Sequence, residues 1–446
     1  MLSWNKLLSA KRFGLEEQRV TNTADVRSQF QRDFDRVIFS SPFRRLQNKT
    51  QVFPLPGSVF VHNRLTHSLE VASAGRSIAN LIALELQNKP GIGNKDIINE
   101  LSSIVSAACL CHDMGNPPFG HAGEEAISRF FKEGEGRHLQ QKVRQKEWLD
   151  LVNFEGNANA LRMLTHQFNG RRKGGFALTY TTLASLIKYP YASDFNPQKP
   201  KYGYFQSEKE TFQSIADELG LIKLNSSPEV YARHPLAFIV EAADDICYEI
   251  MDIEDAHKLN ILTTERTHDL LCNFFSEKDD RDFFIRKESV FREVSDTNER
   301  IAYLRASVIN KLVRETAQIF LDNYDKIMKG EFNFSLIDKL HGESKKAFSV
   351  CKELAINEIY NHRSVVKIEL TGYNVLGTLL KAYTKAVFNP GEKYSRKLLS
   401  FLPMQFRIDN TSASTYEKTR SVIDFVSGMT DLYAVDLFKD IEGIRL

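Results

Sequence analysis

The sequence predicts a mainly α fold, a helical core with a C-terminal helical region packed on it. Three observations carry that expectation. Apolar residues recur at helical spacing over long windows, strand-like runs are few and short, and no internal repeat, low-complexity tract or glycine–serine linker breaks the chain. The chain has 446 residues, 42% of them hydrophobic, which is ample for a large core.

Residues 1–40 are polar, with alternating Arg, Asp and Gln, and read as a peripheral arm ending in an entry helix. The next stretch starts helical and becomes extended at Val52 and Phe53, where Pro54, Pro56 and Gly57 enforce a loop. From Leu65 the spacing is helical, with Leu69, Ala72, Ile78, Leu81, Ile82 and Leu86 on one stripe and His67 near its start; the KPGIG run at 89–93 ends it. A helix over 96–111 turns Ile97, Leu101, Ile104, Val105 and Ala108 inward and delivers His112 and Asp113 at its C-terminal end. The 133–146 stretch is charged and reads as an irregular surface segment. A helix follows 153–157, and GRRKGG at 170–175 is a cationic turn. A helix over 179–189 stops at Pro190, a proline- and aromatic-rich loop spans 191–205, and another helix covers 208–219. Pro235 sits in the first turn of a helix reaching 258. The remainder is helical with charged breaks, and β-branched pieces occur only near Val52 and at 365–370.

Composition excludes several classes. A net charge of +2 provides no global basic field for nucleic acid. Cys109, Cys111, Cys247, Cys272 and Cys351 fit no disulfide framework and read as reduced thiols. The N-terminus lacks a long apolar segment and a cleavage site, and no apolar run approaches the ~20 residues that span a bilayer. A soluble, cytoplasmic protein without membrane contact is expected. No GxxxxGK[ST] occurs, which excludes a P-loop enzyme.

The chemistry concentrates in HDMGNPPFGHAGE, His112 to Glu124. Adjacent His112 and Asp113 can project toward one ion. Pro117 and Pro118 forbid a continuous helix, while Gly120 and Gly123 permit close backbone approach. His121 and Glu124, three residues apart, share a face of any helix starting there. A carboxylate beside a histidine raises its pKa and fixes its tautomer, so the pair suits proton transfer. Farther on, Asp244, Tyr248 and Asp252 form an i, i+4, i+8 stripe among apolar Val240, Cys247 and Met251, whereas Asp245, Glu241 and Glu249 are expected to face elsewhere. Polar groups on an inward stripe are costly unless something binds there. Asp244 or Asp245 can supply a further metal ligand.

The HDMGNPPFGHAGE string, RLTHSLE at 64–70 and the D-x-x-x-Y-x-x-x-D helix together resemble the bacterial dNTP triphosphohydrolases (dGTPase-like proteins) of the HD phosphohydrolase superfamily, from about Ser40 to the C-terminus. The resemblance implies residues 41–350 as an HD-domain core, 351–446 as a helical region completing the substrate pocket, and 1–40 as the arm. It implies an H…HD…D metal set of His67, His112, Asp113 and Asp244 holding a divalent ion, Mg, Mn or another transition metal. His121 would act at the α-phosphorus or protonate the leaving 5′-oxygen, held by Glu124. Gln51 and Val52 would lie against sugar and base, Arg64 at the phosphate beside the metal, Asn157, Lys188 and Tyr189 along triphosphate and pocket wall, and Tyr248 and Asp252 at the sugar. Glu369 and Arg420 would reach base or phosphates from the C-terminal region. The implied reaction converts a deoxynucleoside triphosphate into deoxynucleoside and inorganic triphosphate. A homo-oligomer, commonly a hexamer, and nucleotide or single-stranded-DNA effectors are also implied. Two other readings stand beside it. Another HD-type nucleotidase or phosphodiesterase would share the ligands without needing the Asp–Tyr–Asp stripe. A nucleotide-sensing, single-stranded-DNA-binding protein would tolerate loss of His121 and Glu124, and both are present.

Overall fold

The computed structural model describes residues 1–17, 26–53, 61–89, 95–196, 201–408 and 412–444. The loop expected at 54–57 and the helix stop at 90–93 lie outside the described residues. Twelve helices position the features discussed below. They are α1 (Gln29–Ile38), α2 (Arg64–Asn88), α3 (Leu101–Cys111), α4 (Gly120–Lys132), α5 (Gly156–Thr165) and α6 (Tyr180–Leu186), then α7 (Pro235–Lys258), α8 (Thr297–Asp322), α9 (Gly342–Leu354), α10 (Arg363–Phe388), α11 (Thr415–Ser427) and α12 (Asp431–Glu442).

Two apolar cores form. In the first, α2 packs against α3, α7 and α8, with α1 and α6 also against α3. In the second, α10 packs against α4, α11 and α12, burying Ile127, Phe131, Leu376, Leu379, Leu380, Val422, Ile423 and Val426. Each such side chain contributes roughly 1.5–3 kcal/mol by burial. Met114 belongs to the first core and Phe119 to the second. The motif at 112–124 therefore crosses from one core to the other, and its two chemical halves rest on different layers.

Several expectations change. On α2, Ala72, Ile78, Ile82 and Leu86 are buried as expected, but Leu69 and Leu81 are 46% and 37% exposed. The buried positions Val71, Gly75 and Ala79 belong to the stripe instead, because the apolar set at i, i+3, i+4 runs through them. The first residues are not peripheral: Leu2, Trp4, Leu7 and Leu8 enter the first core, and Arg12 bonds buried Asp33 at 2.6 Å. The 133–146 stretch is more regular than expected, with a 3₁₀ segment at Glu135–Lys142 before a helix at Gln145–Val152. A two-stranded antiparallel hairpin, β1 (Lys223–Ser226) and β2 (Glu229–Tyr231), was not foreseen, whereas the β-branched run at 365–370 lies inside α10. Burial of one face outweighs the weak strand preference there. Four of the five cysteines are buried and all are free thiols. Among the described residues, no helix is long and apolar enough to cross a membrane.

Candidate active site

α2 starts at Arg64 because Asn63 and Thr66 cap each other reciprocally. That start places His67 in the first turn. α3 ends immediately before His112 and Asp113, and α7 carries Asp244 near its middle. The three helices pack together, so their polar residues converge. His67 Nε2 lies 3.1 Å from Asp244 Oδ1, and His112 Nε2 lies 3.4 Å from the same oxygen and 3.6 Å from Asp113 Oδ1. Ligand-type atoms of His67, His112 and Asp113 fall within 4.8 Å of one another.

The orientation of His112 follows from its neighbours. Nδ1 is 2.6 Å from the Cys109 carbonyl, which can only accept, so Nδ1 donates there and Nε2 is the nitrogen turned toward the cluster. That Nε2 is buried and has no hydrogen-bond partner. Burial works to lower the pKa of His112, but the charges of Asp113 and Asp244 outweigh it and raise the value to about 9. The cluster thus favours a positive charge at its centre. An orphaned imidazole nitrogen, a second imidazole and two carboxylates fit a borderline divalent ion.

Asp113 is oriented from behind. Its Oδ2 accepts from Arg64 Nη1 at 2.7 Å, and the Asn116 side chain donates to its Oδ1. Gly120 makes room for Arg64: its φ is +59°, and a Cβ would stand 2.6 Å from Arg64 Nη2.

The half that carries His121 and Glu124 begins where α4 begins. Phe119, with φ +65°, turns the chain, and its N–H donates to Asp431 Oδ1 at 3.0 Å. Asp431 Oδ2 accepts from the Thr50 N–H at 2.8 Å, which positions Gln51 and Val52 beside the motif. His121 Nδ1 bonds Glu124 Oε2 at 2.8 Å, and Glu124 Oε1 accepts from the Gly156 N–H at 2.6 Å. The bond to Glu124 raises the His121 pKa. Burial alone would raise Glu124, but its hydrogen bond with His121 holds it below the usual carboxylate value. A Cβ at Gly156 would meet Asn116 Oδ1 at 2.1 Å and Glu124 Oε1 at 2.7 Å, so only glycine fits between the two halves.

Both halves line one cavity system. An inner chamber of about 280 Å³ is lined by Arg64, His112, Asp113, His121, Glu124, Asn157 and Asp244, among others. An adjoining chamber of about 880 Å³ is lined by Val52, Glu369 and Tyr360. Gln51, Lys188, Tyr189 and Tyr248 line both. His67 sits behind the wall, 2% exposed. Asp252 does not line either chamber; it accepts from the Tyr360 hydroxyl at 2.8 Å, and Tyr360 lines the outer chamber. A larger cavity of about 1200 Å³ lies elsewhere, beside Arg162 and Tyr416, and is lined by none of His67, His112, Asp113 and Asp244.

Two expectations are corrected by this geometry. Glu241, Asp245 and Glu249 do not face away: Glu241 and Asp245 line both chambers and Glu249 the outer one. At about 100° per residue, Glu241 falls between Asp244 and Asp245 on the wheel, so one broad face holds them all. Lys188 pairs with Glu241 at 3.1 Å. Arg420 does not reach this cavity. It is 1% exposed, stacks over Phe205 at 3.7 Å and lines the larger cavity.

Sequence reasoning also missed Asn116, Glu155, Lys201, Lys49 and Asp431. Lys201 pairs with Glu155 at 3.1 Å, and both line the inner chamber. Fully buried Lys49 donates to the Asn116 carbonyl and to the Ser427 carbonyl, the latter at 2.9 Å, and burial pushes its pKa down to about 7. Asn116 and Glu155 stand inside the motif blocks and were legible there. Lys49, Lys201 and Asp431 carry no local signal.

The HD domain profile matches residues 64–176, and that of the phosphohydrolase-associated domain matches residues 339–440. Over its full length the chain is 37% identical to the deoxyguanosinetriphosphate triphosphohydrolase-like protein of Synechocystis sp., covering 100% of both. The chain belongs to the deoxyguanosinetriphosphate triphosphohydrolase-like family. It is 34% identical to the like-named protein of Pseudomonas aeruginosa, over 99% of each chain. It is 31% identical to the deoxyguanosinetriphosphate triphosphohydrolase of Yersinia pseudotuberculosis, over 92% of this chain and 93% of that one. Membership of this triphosphohydrolase-like family makes the chain an HD-domain phosphohydrolase.

Proposed function

We propose that this protein hydrolyses deoxynucleoside triphosphates to deoxynucleoside and inorganic triphosphate with the help of a divalent metal ion. The observation that carries this reading is the buried, partnerless His112 Nε2 among His67, Asp113 and Asp244, on the same cavity as the His121–Glu124 pair. His67, His112, Asp113 and Asp244 would hold Mn, Mg or another transition metal. When bound, the ion supplies Lewis-acid stabilisation of phosphate charge.

The residues divide the remaining work. Arg64, Lys188 and Lys201 line the inner chamber and supply positive charge for phosphate oxygens. Water adds to the α-phosphorus, the bond from that phosphorus to the 5′-oxygen breaks, and the triphosphate leaves whole. Glu124 holds His121 Nδ1, leaving Nε2 to give the 5′-oxygen its proton. The Tyr248 ring packs against the sugar, where it leaves little space for a 2′-hydroxyl. Asp252 would meet a sugar 3′-hydroxyl only by exchanging its bond with Tyr360. Gln51, Val52 and Glu369 line the space left for the base, and Asn157 and Tyr189 the wall along the phosphates.

Product analysis with each dNTP tests the reading. Inorganic triphosphate and deoxynucleoside are expected in equal amounts. Release of orthophosphate or pyrophosphate instead would move the assignment to a different HD-type nucleotidase.

A further inference from the structure

The turn that carries His121 is gripped from behind by a carboxylate outside the cavity. Asp431 opens α12, is buried, and lines neither the inner nor the outer chamber. Its two oxygens hold two separate strands of backbone. Oδ1 accepts from the Phe119 N–H at 3.0 Å and Oδ2 from the Thr50 N–H at 2.8 Å. Phe119 stands immediately before α4, which has His121 as its second residue. Thr50 stands immediately before Gln51 and Val52. One side chain therefore ties the edge that bears His121 to the edge that bears Gln51, and both edges line the outer chamber.

The tie meets a need of the backbone. Phe119 and Gly120 are consecutive residues in the left-handed region, with φ of +65° and +59°. Glycine adopts that conformation freely, whereas a phenylalanine is held in it by its surroundings. The Phe119 side chain makes no capping bond to α4, so the first turn of that helix has no local anchor. A carboxylate suits that end of a helix. α10 closes the turn from the other side. Gly372 is buried there, and a Cβ on it would stand 3.0 Å from Phe119 Cβ and 3.1 Å from Cγ. Lys49 adds a second clasp among the same segments by donating to the Asn116 and Ser427 carbonyls.

We propose that Asp431 is a positioning residue for the reaction: its carboxylate fixes the left-handed turn at Phe119 and, through it, the place of His121 against the substrate. The inference rests on the role given to His121 in the proposed hydrolysis. Asp431 acts through the Phe119 backbone, since it lines no chamber. Misplacing a reacting group by about 1 Å can cost ~10²-fold in rate, so a buried hydrogen bond far from the substrate can govern turnover.

A double-mutant cycle on kcat tests this, using the dNTP that the wild type hydrolyses fastest and metal content measured for every variant. Asp431→Ala removes both acceptor oxygens. It should lower kcat by about tenfold to a hundredfold with bound metal unchanged. In a His121→Ala background the same substitution should change kcat by less than about threefold, because the group it positions is gone. Equal kcat in wild type and Asp431→Ala overturns the proposal. A fall of the same size in both backgrounds also overturns it, since that is what a purely structural residue gives. If Asp431→Ala does not fold, Gly372→Ala decides. Alanine favours a helix interior over glycine, so the melting temperature should hold or rise, while the new methyl crowds Phe119. Its kcat should fall about threefold or more, and an unchanged value overturns the proposal. Wild-type turnover in His121→Ala would sink the hydrolysis reading itself. A slow His121→Ala beside a fast Asp431→Ala sinks this inference alone.

Discussion

The cluster around His112 and Asp113 and the His121–Glu124 pair flank one proline turn, yet they are held in different ways. His67 is 2% exposed and lies among packed helices, whereas the His121 side chain is 75% exposed. The first half is positioned by packing of α2, α3 and α7. The second depends on a hydrogen-bond relay, in which the Gly156 N–H holds Glu124 and Glu124 holds His121. Buried charges are costly unless they are paired with opposite charge, while an exposed imidazole needs one firm bond to keep its tautomer. Binding and chemistry should therefore fail separately when each half is altered.

The largest effect is expected from Asp244→Ala. It removes the carboxylate that touches both histidines, so bound metal and turnover should fall together to background. Elemental analysis of the purified variant checks this, and a full complement of metal would take Asp244 out of the ligand set. Next, His121→Ala should lower turnover by ~10²–10⁴ with metal content unchanged, the usual scale for lost acid–base catalysis. Parallel loss of metal in both variants would erase the distinction between the halves.

Tyr248→Ala tests the wall between them. Preference for dGTP over GTP should relax by roughly tenfold or more, read as the ratio of kcat/KM values, because the ring proposed to crowd the 2′-position is gone. A ratio of one in wild type already excludes the sugar-reading role. Glu124→Gln should act more gently, through pH. Glu124 raises the pKa of His121, and the proposed donor is the protonated ring, so activity should fall as pH rises through that pKa. Without the carboxylate the pKa drops, and the alkaline limb should move to lower pH. An unmoved limb means that another group is the acid. The smallest effect is on stability. Gly156→Ala places a methyl against Asn116 and Glu124 and should cost ~1–3 kcal/mol in denaturant unfolding, with metal affinity less affected than turnover.

Much of this was legible in the chain. Helical spacing marked α2, α3 and α7, Pro235 marked the start of α7, and the HDMGNPPFGHAGE string marked both chemical halves. Errors arose where a face had to be chosen. Leu69 and Leu81 look like core residues in sequence, and Asp245 looks as if it faces away from Asp244, because a wheel has no partner against which to orient it. The hairpin at 223–231 is too short to give a periodic signal.

Which residues can ligate, donate protons or break a helix follows from their own chemistry and from neighbours within a turn or two. That is why the proline turn, the i, i+3 pair His121–Glu124 and the Asp244–Tyr248 spacing were readable in one dimension. Which of them meet was settled by packing. His67 touches Asp244 across 177 residues, Lys49 reaches the end of α11 across 378, and Asp431 fastens Thr50 across 381. Such contacts depend on how whole helices cross and on which core absorbs each face. Those choices minimise exposed apolar area over the entire chain, and no local window contains them.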